Sequence, residues 1–200
     1  MIEQEKLMSD NKLFMPFGVE YDLIKGIMKN PDKHLIRKAS SMKGHYEDAA
    51  ALDKIIAAGD PLHYEVFEKN IPEENGHLQF CISTTQPGLV GDECFMTKGH
   101  YHRIPETAEI YLCLTGRGYM LMKTKEGDSV AEEMFPGRMV YVPPYWAHRT
   151  VNTGDTPLTS FCVYPGNAGH NYGDIEVEGF PKRVYKRNGK IEISAWKRKS

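Results

Sequence analysis

Four residues carry the strongest chemical signal in this chain: His100, His102, Glu109 and His148. Residues two apart on a strand point to the same face, so His100 and His102 can aim two imidazoles at one point. Glu109 opens the apolar run after a short Pro-containing connector. His148 follows Pro143-Pro144-Tyr145-Trp146-Ala147 near the start of a later run. Three imidazoles and one carboxylate are a donor set for a divalent transition metal. The competing reading is four polar residues hydrogen-bonded in a core. It is disfavoured, because burying them without a cation costs on the order of several kcal/mol. The spacing of the four along three runs expects a small β-barrel to hold them.

The elements around them support that. From His63 onward apolar residues recur with period two, and strands are expected at Tyr64–Glu68, Leu78–Ser83, Glu93–His102, Glu109–Leu114, Gly118–Lys123, Ser129–Met134, Met139–Val142, His148–Val151 and Leu158–Tyr164. Turn signals such as Thr115-Gly116-Arg117-Gly118, Pro136-Gly137 and Asn152-Thr153-Gly154-Asp155 separate them. A last hairpin is marked by Asn188-Gly189 between Val184–Arg187 and Lys190–Ile193. Many short strands with regular turns argue for an antiparallel barrel or sandwich. Upstream, Leu13–Lys29 reads as an irregular strand and residues 31–59 as two helical pieces. The second piece, Glu47–Ala58, is rich in helix formers and stops at Gly59. Met1–Asp10 and Lys197-Arg198-Lys199 read as polar ends. No repeat or linker divides the chain. It is therefore read as one domain over residues 1–200, with residues 1–60 as an N-terminal strand-and-helix appendage.

Period two also predicts directions. With Glu109 inward, Tyr111 and Cys113 point inward, while Ile110, Leu112 and Leu114 point outward; Thr150 and Asn152 share the face of His148. Strict alternation from His100 aims Lys98 inward, where it could meet an anion. A bulge at Gly99 would turn Thr97 and Gly99 inward instead.

A net charge of −2 over 200 residues gives no electrostatic case for nucleic acid or membrane partners. No apolar run approaches the ~20 residues of a membrane span. Glu3 and Glu5 near the start argue against a signal peptide. Cys81, Cys94, Cys113 and Cys162 are far apart and sit in apolar runs, which suits free buried thiols in a reducing cytoplasm.

Six residues separate Glu109 from His102, and six separate it from Gly116. Gly137, Pro143, His148 and Asn152 form a second spaced block. The two blocks resemble the paired motifs of cupins, with Cys94 and Tyr145 standing where glycines are usual. Three further stretches carry a more specific resemblance: Thr97-Lys98-Gly99-His100-Tyr101-His102, Tyr141 through Asn152 around Pro-Pro-Tyr-Trp-Ala-His-Arg-Thr-Val-Asn, and Tyr164-Pro165 with Ala168-Gly169-His170 and Tyr172-Gly173. With Pro87-Gly88 and Val90-Gly91, these resemble the cupin-type glucose-6-phosphate isomerase family over nearly the whole chain.

That resemblance implies an all-β cupin barrel, jelly-roll-like, with a few peripheral helices in the N-terminal third. It implies a homodimer acting in glycolysis and gluconeogenesis. It matches His100, His102, Glu109 and His148 to the metal ligands, with Fe²⁺ expected and Zn²⁺, Mn²⁺ or Ni²⁺ open. Tyr64, Ser83, Thr97, Gly99, Tyr111, Tyr164, His170 and Tyr172 match pocket positions for a sugar phosphate, and Lys98 joins them as a possible phosphate partner. The reaction would move one hydrogen between C2 and C1. Glu109 could carry it as a proton through an enediol, or it could pass directly between the carbons of a polarised carbonyl. His170 is a candidate for ring opening or for shuttling the hydroxyl proton. Other cupin chemistries stay open at this point: a mannose 6-phosphate isomerase, an epimerase, a dioxygenase or a non-enzymatic sugar-binding module.

Overall fold

Alternating side chains from Leu62 onward build two antiparallel sheets that share a core. The computed structural model describes residues 14–22 and 25–197. The larger sheet has six strands in the order Met139–Val142, Glu109–Thr115, Leu158–Pro165, Leu78–Thr85, Leu62–Glu68 and Lys33–Lys38. The smaller one places Gly118–Lys123 between Ser129–Met134 and Ala147–Asn152. Inward residues of both meet in one cluster, including Tyr111 and Cys113 from the first and Met120, Met122 and Met134 from the second. A third sheet pairs Lys190–Ala195 with Lys182–Arg187, then Glu93–Cys94 and Leu89–Val90.

The architecture is the expected antiparallel, jelly-roll-like one, but among the described residues the ladder does not close into a barrel. The break has a local cause. Glu93–His102 was expected as one strand, and only Glu93–Cys94 and Tyr101–His102 keep strand geometry. Between them Gly99 adopts φ +77°, a region open to glycine at little cost. Met96 bridges Val151 and His100 bridges His148, so four steps on this segment face three on its partner. That extra residue is a bulge at Gly99, the alternative to the strict alternation that aimed Lys98 inward.

The first of the two helical pieces expected in 31–59 is a correction. Lys33–Lys38 is an edge strand paired with Leu62–Glu68, followed by a 3₁₀ turn at Ala39–Met42. Leu35 and Arg37 are partly buried while their neighbours are exposed, so sheet pairing overrides a weak local helix preference. The second piece is a helix at Ala49–Ala57. Asp48 caps it by accepting from the Ala51 N–H at 2.8 Å, and Gly59 ends it at φ +140°. Leu13–Lys29 is not one irregular strand within the described residues. It holds a small ladder, Tyr21–Asp22 against Ile27–Met28, which covers Phe67 and Ile82 on the outer face of the large sheet. Leu13, Met1–Asp10 and most of the basic end lie outside the described residues. All four cysteines are buried and free. No described helix is long and apolar enough to cross a membrane.

Candidate metal centre

The four ligands arrive from three places in the sheets. Glu109 starts the second strand of the large sheet, His148 lies on Ala147–Asn152, and His100 precedes while His102 ends the short strand that pairs with His170–Asn171. The backbones of His100 and His148 bond each other in both directions, at 3.2 and 3.1 Å. One donor atom from each of the four lies within 4.8 Å of the others. Glu109 is 3% exposed and His148 only 1%.

Proton bookkeeping around His102 shows what this cluster lacks. Thr107 Oγ1 donates to the Ile104 carbonyl at 2.6 Å, so it can only accept from His102 Nδ1 at 2.8 Å. That network assigns the Nδ1–H tautomer to a neutral His102. Its Nε2 lone pair then faces Glu109 Oε2 at 3.1 Å, acceptor against acceptor. His148 Nε2 sits 2.9 Å from the same oxygen without hydrogen-bond alignment, and His100 Nε2 is buried with no partner. One proton could relieve one of these contacts; one divalent cation relieves all of them. The donors fit a transition metal, and the Thr107 contact is the outer support that orients such a ligand.

Electrostatics agree. Burial pushes the Glu109 carboxyl up, but the His102 and His148 rings packed against it outweigh that and hold it ionised, at about 2. Burial drives His100 well below the usual imidazole value, and the facing His148, His170 and His102 add to that. An ionised carboxylate beside an imidazole that burial keeps from charging is the pattern that metal ligation requires. Burial and the Glu109 carboxylate keep the Tyr111 hydroxyl protonated.

A cavity of about 440 Å³ opens over the cluster. It is lined by His100, Glu109 and His148, and by Tyr64, Ser83, Thr97 and Gly99. Tyr111, Tyr164, His170 and Tyr172 complete the expected set. His170 pairs with His102 across the short ladder, and its ring centroid is 4.4 Å from that of His100. His102 lies behind the lining. Tyr111 and Cys113 are buried and Ile110 is exposed, as alternation required. Thr150 also lines the cavity, whereas Asn152 turns to the Thr85 and Thr156 carbonyls, both at 2.9 Å. Lys98 is not brought in: its Nζ is 3.7 Å from Glu176, because the bulge reverses its parity.

Several lining residues were not singled out by the sequence. Arg37 was hidden by the helical reading of its segment. The alternation of Leu35 with Arg37 was the available signal. Arg149 follows His148 and by parity should face away. It bends back, stacks on Phe180 at 4.2 Å and donates to the Lys98 carbonyl at 2.5 Å.

Gly99 is the steric keystone of this region. A Cβ there would stand 2.7 Å from Phe180 Cε2 and 2.9 Å from the His148 carbonyl oxygen. Gly99→Ala is expected to cost about 2–4 kcal/mol, combining a left-handed non-glycine residue with overpacking. Chemical denaturation reads this directly, and a midpoint unchanged from wild type would mean the turn does not need glycine.

An antiparallel β-sandwich with three histidines and a glutamate gathered beneath a polar cavity defines a cupin-type protein with a candidate metal centre. A family model described as glucose-6-phosphate isomerase matches residues 36–199, and the chain belongs to that family. Glucose-6-phosphate isomerase of Thermococcus litoralis is 48% identical over 178 residues, covering 89% of this chain and 93% of the relative. Its counterpart in Pyrococcus abyssi is 44% identical over 178 residues, covering 89% and 94%. A putative glucose-6-phosphate isomerase 2 of Rhizobium meliloti is 34% identical over 181 residues, covering 90% of each. A solved oxalate oxidase structure aligns with 58% of each chain at 14% identity and a TM-score of 0.46.

Proposed function

We propose that this protein is a metal-dependent aldose–ketose isomerase interconverting glucose 6-phosphate and fructose 6-phosphate. The observation that carries the reading is the buried acceptor cluster, with two imidazole nitrogens left without hydrogen bonds, at the floor of a cavity lined by hydroxyls. His100, His102, Glu109 and His148 would hold a divalent transition metal, Fe²⁺ in the first instance. Such an ion supplies Lewis-acid polarisation of the substrate carbonyl.

The chain's own residues do the rest. Ser83 and Thr97 offer hydroxyls, and Gly99 a backbone N–H, to the phosphorylated end. Tyr111 and Tyr164 offer hydroxyls to the sugar. Glu109, the ionised member of the cluster, takes the C2 proton and returns it to C1. His170, at the mouth beside His100, moves the hydroxyl proton between O1 and O2. Direct transfer of hydrogen between the carbons is the alternative, because a carboxylate enclosed by His102 and His148 and engaged as a ligand is a poor base. Isomerisation in deuterated water separates the two. Proton transfer should leave solvent deuterium at C1 of glucose 6-phosphate-derived fructose 6-phosphate, and product free of label after long turnover would eliminate Glu109 as the base.

The role in glycolysis and gluconeogenesis follows from the same reaction. Four free buried thiols suit a cytoplasmic setting. A homodimer is supported by an outer patch of the large sheet, where Tyr141, 58% exposed, pairs in register with Ile110 beside Met139, 68% exposed.

A further inference from the structure

The hydroxyls and the backbone N–H given above to the phosphorylated end are all neutral, yet a sugar phosphate brings a dianion into the cavity. The described basic side chains near its edge strand and floor are nearly all engaged elsewhere. Lys33 is 3.7 Å from Glu73, and His34 is 2.8 Å from Glu65. Arg149 spends its guanidinium on the Lys98 carbonyl, the Met96 sulfur at 3.0 Å and the Phe180 ring. Arg37 is less engaged. It lines the cavity from the edge strand, its Nε, like that of Arg149, is buried without a hydrogen-bond partner, and among the described residues it has no carboxylate partner and no ring or carbonyl holding its guanidinium.

Its position is set by its neighbours. Arg37 pairs in register with Tyr64 on the adjacent strand. Burial raises the Tyr64 hydroxyl's pKa, and the Arg37 guanidinium and the Lys98 backbone N–H that lie against this hydroxyl pull it back down. That shared hydroxyl ties the guanidinium to the Thr97–Gly99 turn. A planar fork with an open N–H edge suits two phosphate oxygens at once. We infer that Arg37 is the charged anchor of the substrate's phosphate, and that it sets the preference for phosphorylated over free sugars. Tyr64 holds the fork in place, and Thr97 with Gly99 closes the other side. This rests on the isomerase reading above.

The test compares wild type with Arg37→Ala and Arg37→Lys, using fructose 6-phosphate as substrate and inorganic phosphate as competitive inhibitor. In Arg37→Ala, KM and the phosphate inhibition constant should both rise about 30-fold, as expected for losing one charged hydrogen-bonding partner, with kcat changed less. Arg37→Lys should recover part of both, since it keeps the charge without the fork. A KM and an inhibition constant within about twofold of wild type would overturn the anchor while leaving the isomerase reading intact. If Arg37→Ala does not fold, Arg37→Gln gives the same readout. Failure of the isomerase reading shows differently: wild type then turns over no sugar phosphate. Thermal stabilisation by inorganic phosphate, present in wild type and absent in Arg37→Ala, still decides whether Arg37 holds the anion.

Discussion

Glu109→Gln should lower kcat for glucose 6-phosphate isomerisation by about 10³-fold or more, the upper range for losing a positioned base. The amide is nearly isosteric, so the buried site is not emptied. What changes is charge and donor pattern. The carboxylate faces His102 Nε2 at 3.1 Å and His148 Nε2 at 2.9 Å; an amide places at least one N–H there instead. It cannot accept a proton from carbon, and it removes the one negative charge among three imidazoles. Two measurements divide the loss between these roles. Metal content that stays near one ion per chain, with kcat reduced and KM little changed, assigns the effect to proton transfer. Metal content that falls in step with activity assigns it to ligation. A variant within tenfold of wild type would remove Glu109 from the chemistry altogether.

Stripping the metal with a chelator is expected to abolish activity and lower stability together. Without a cation, His100 Nε2 and His148 Nε2 remain buried and unsatisfied, and the lone pair of His102 opposes Glu109. An ion present at 1,000 times its dissociation constant stabilises the folded state by about 4 kcal/mol, which is roughly 8–16 °C in Tm for a chain of this size. Adding back Fe²⁺, Zn²⁺, Mn²⁺ or Ni²⁺ one at a time should restore both properties, and the ion restoring full turnover is the working metal. Activity that survives complete removal would end the metal-dependent mechanism and leave the fold untouched. A drop in Tm without loss of activity would make the ion structural.

Most of the strand framework was legible because its signals are local. Gly118–Lys123, Ser129–Met134 and Met139–Val142 fall where alternation and turn residues placed them. So does the hairpin around Asn188-Gly189, where Asn188 and Gly189 both take positive φ. The direction of Tyr111 followed from Glu109 alone. Lys33–Lys38 was misread because an isolated stretch does not reveal the edge of a neighbouring sheet. Pairing with Leu62–Glu68 is worth more than the helix preference of six residues.

The donor types of the metal centre, the strands that carry Glu109 and His148 and the tyrosine beside them were determined by the sequence, since each depends on neighbours only a few residues away. Which cations serve the cavity was decided by the tertiary structure. One extra residue at Gly99 reverses the parity of Lys98 and sends it to Glu176, while an edge strand from the far N-terminal side brings Arg37 against Tyr64. Parity across a bulge and pairing between distant segments depend on where the chain meets itself in space.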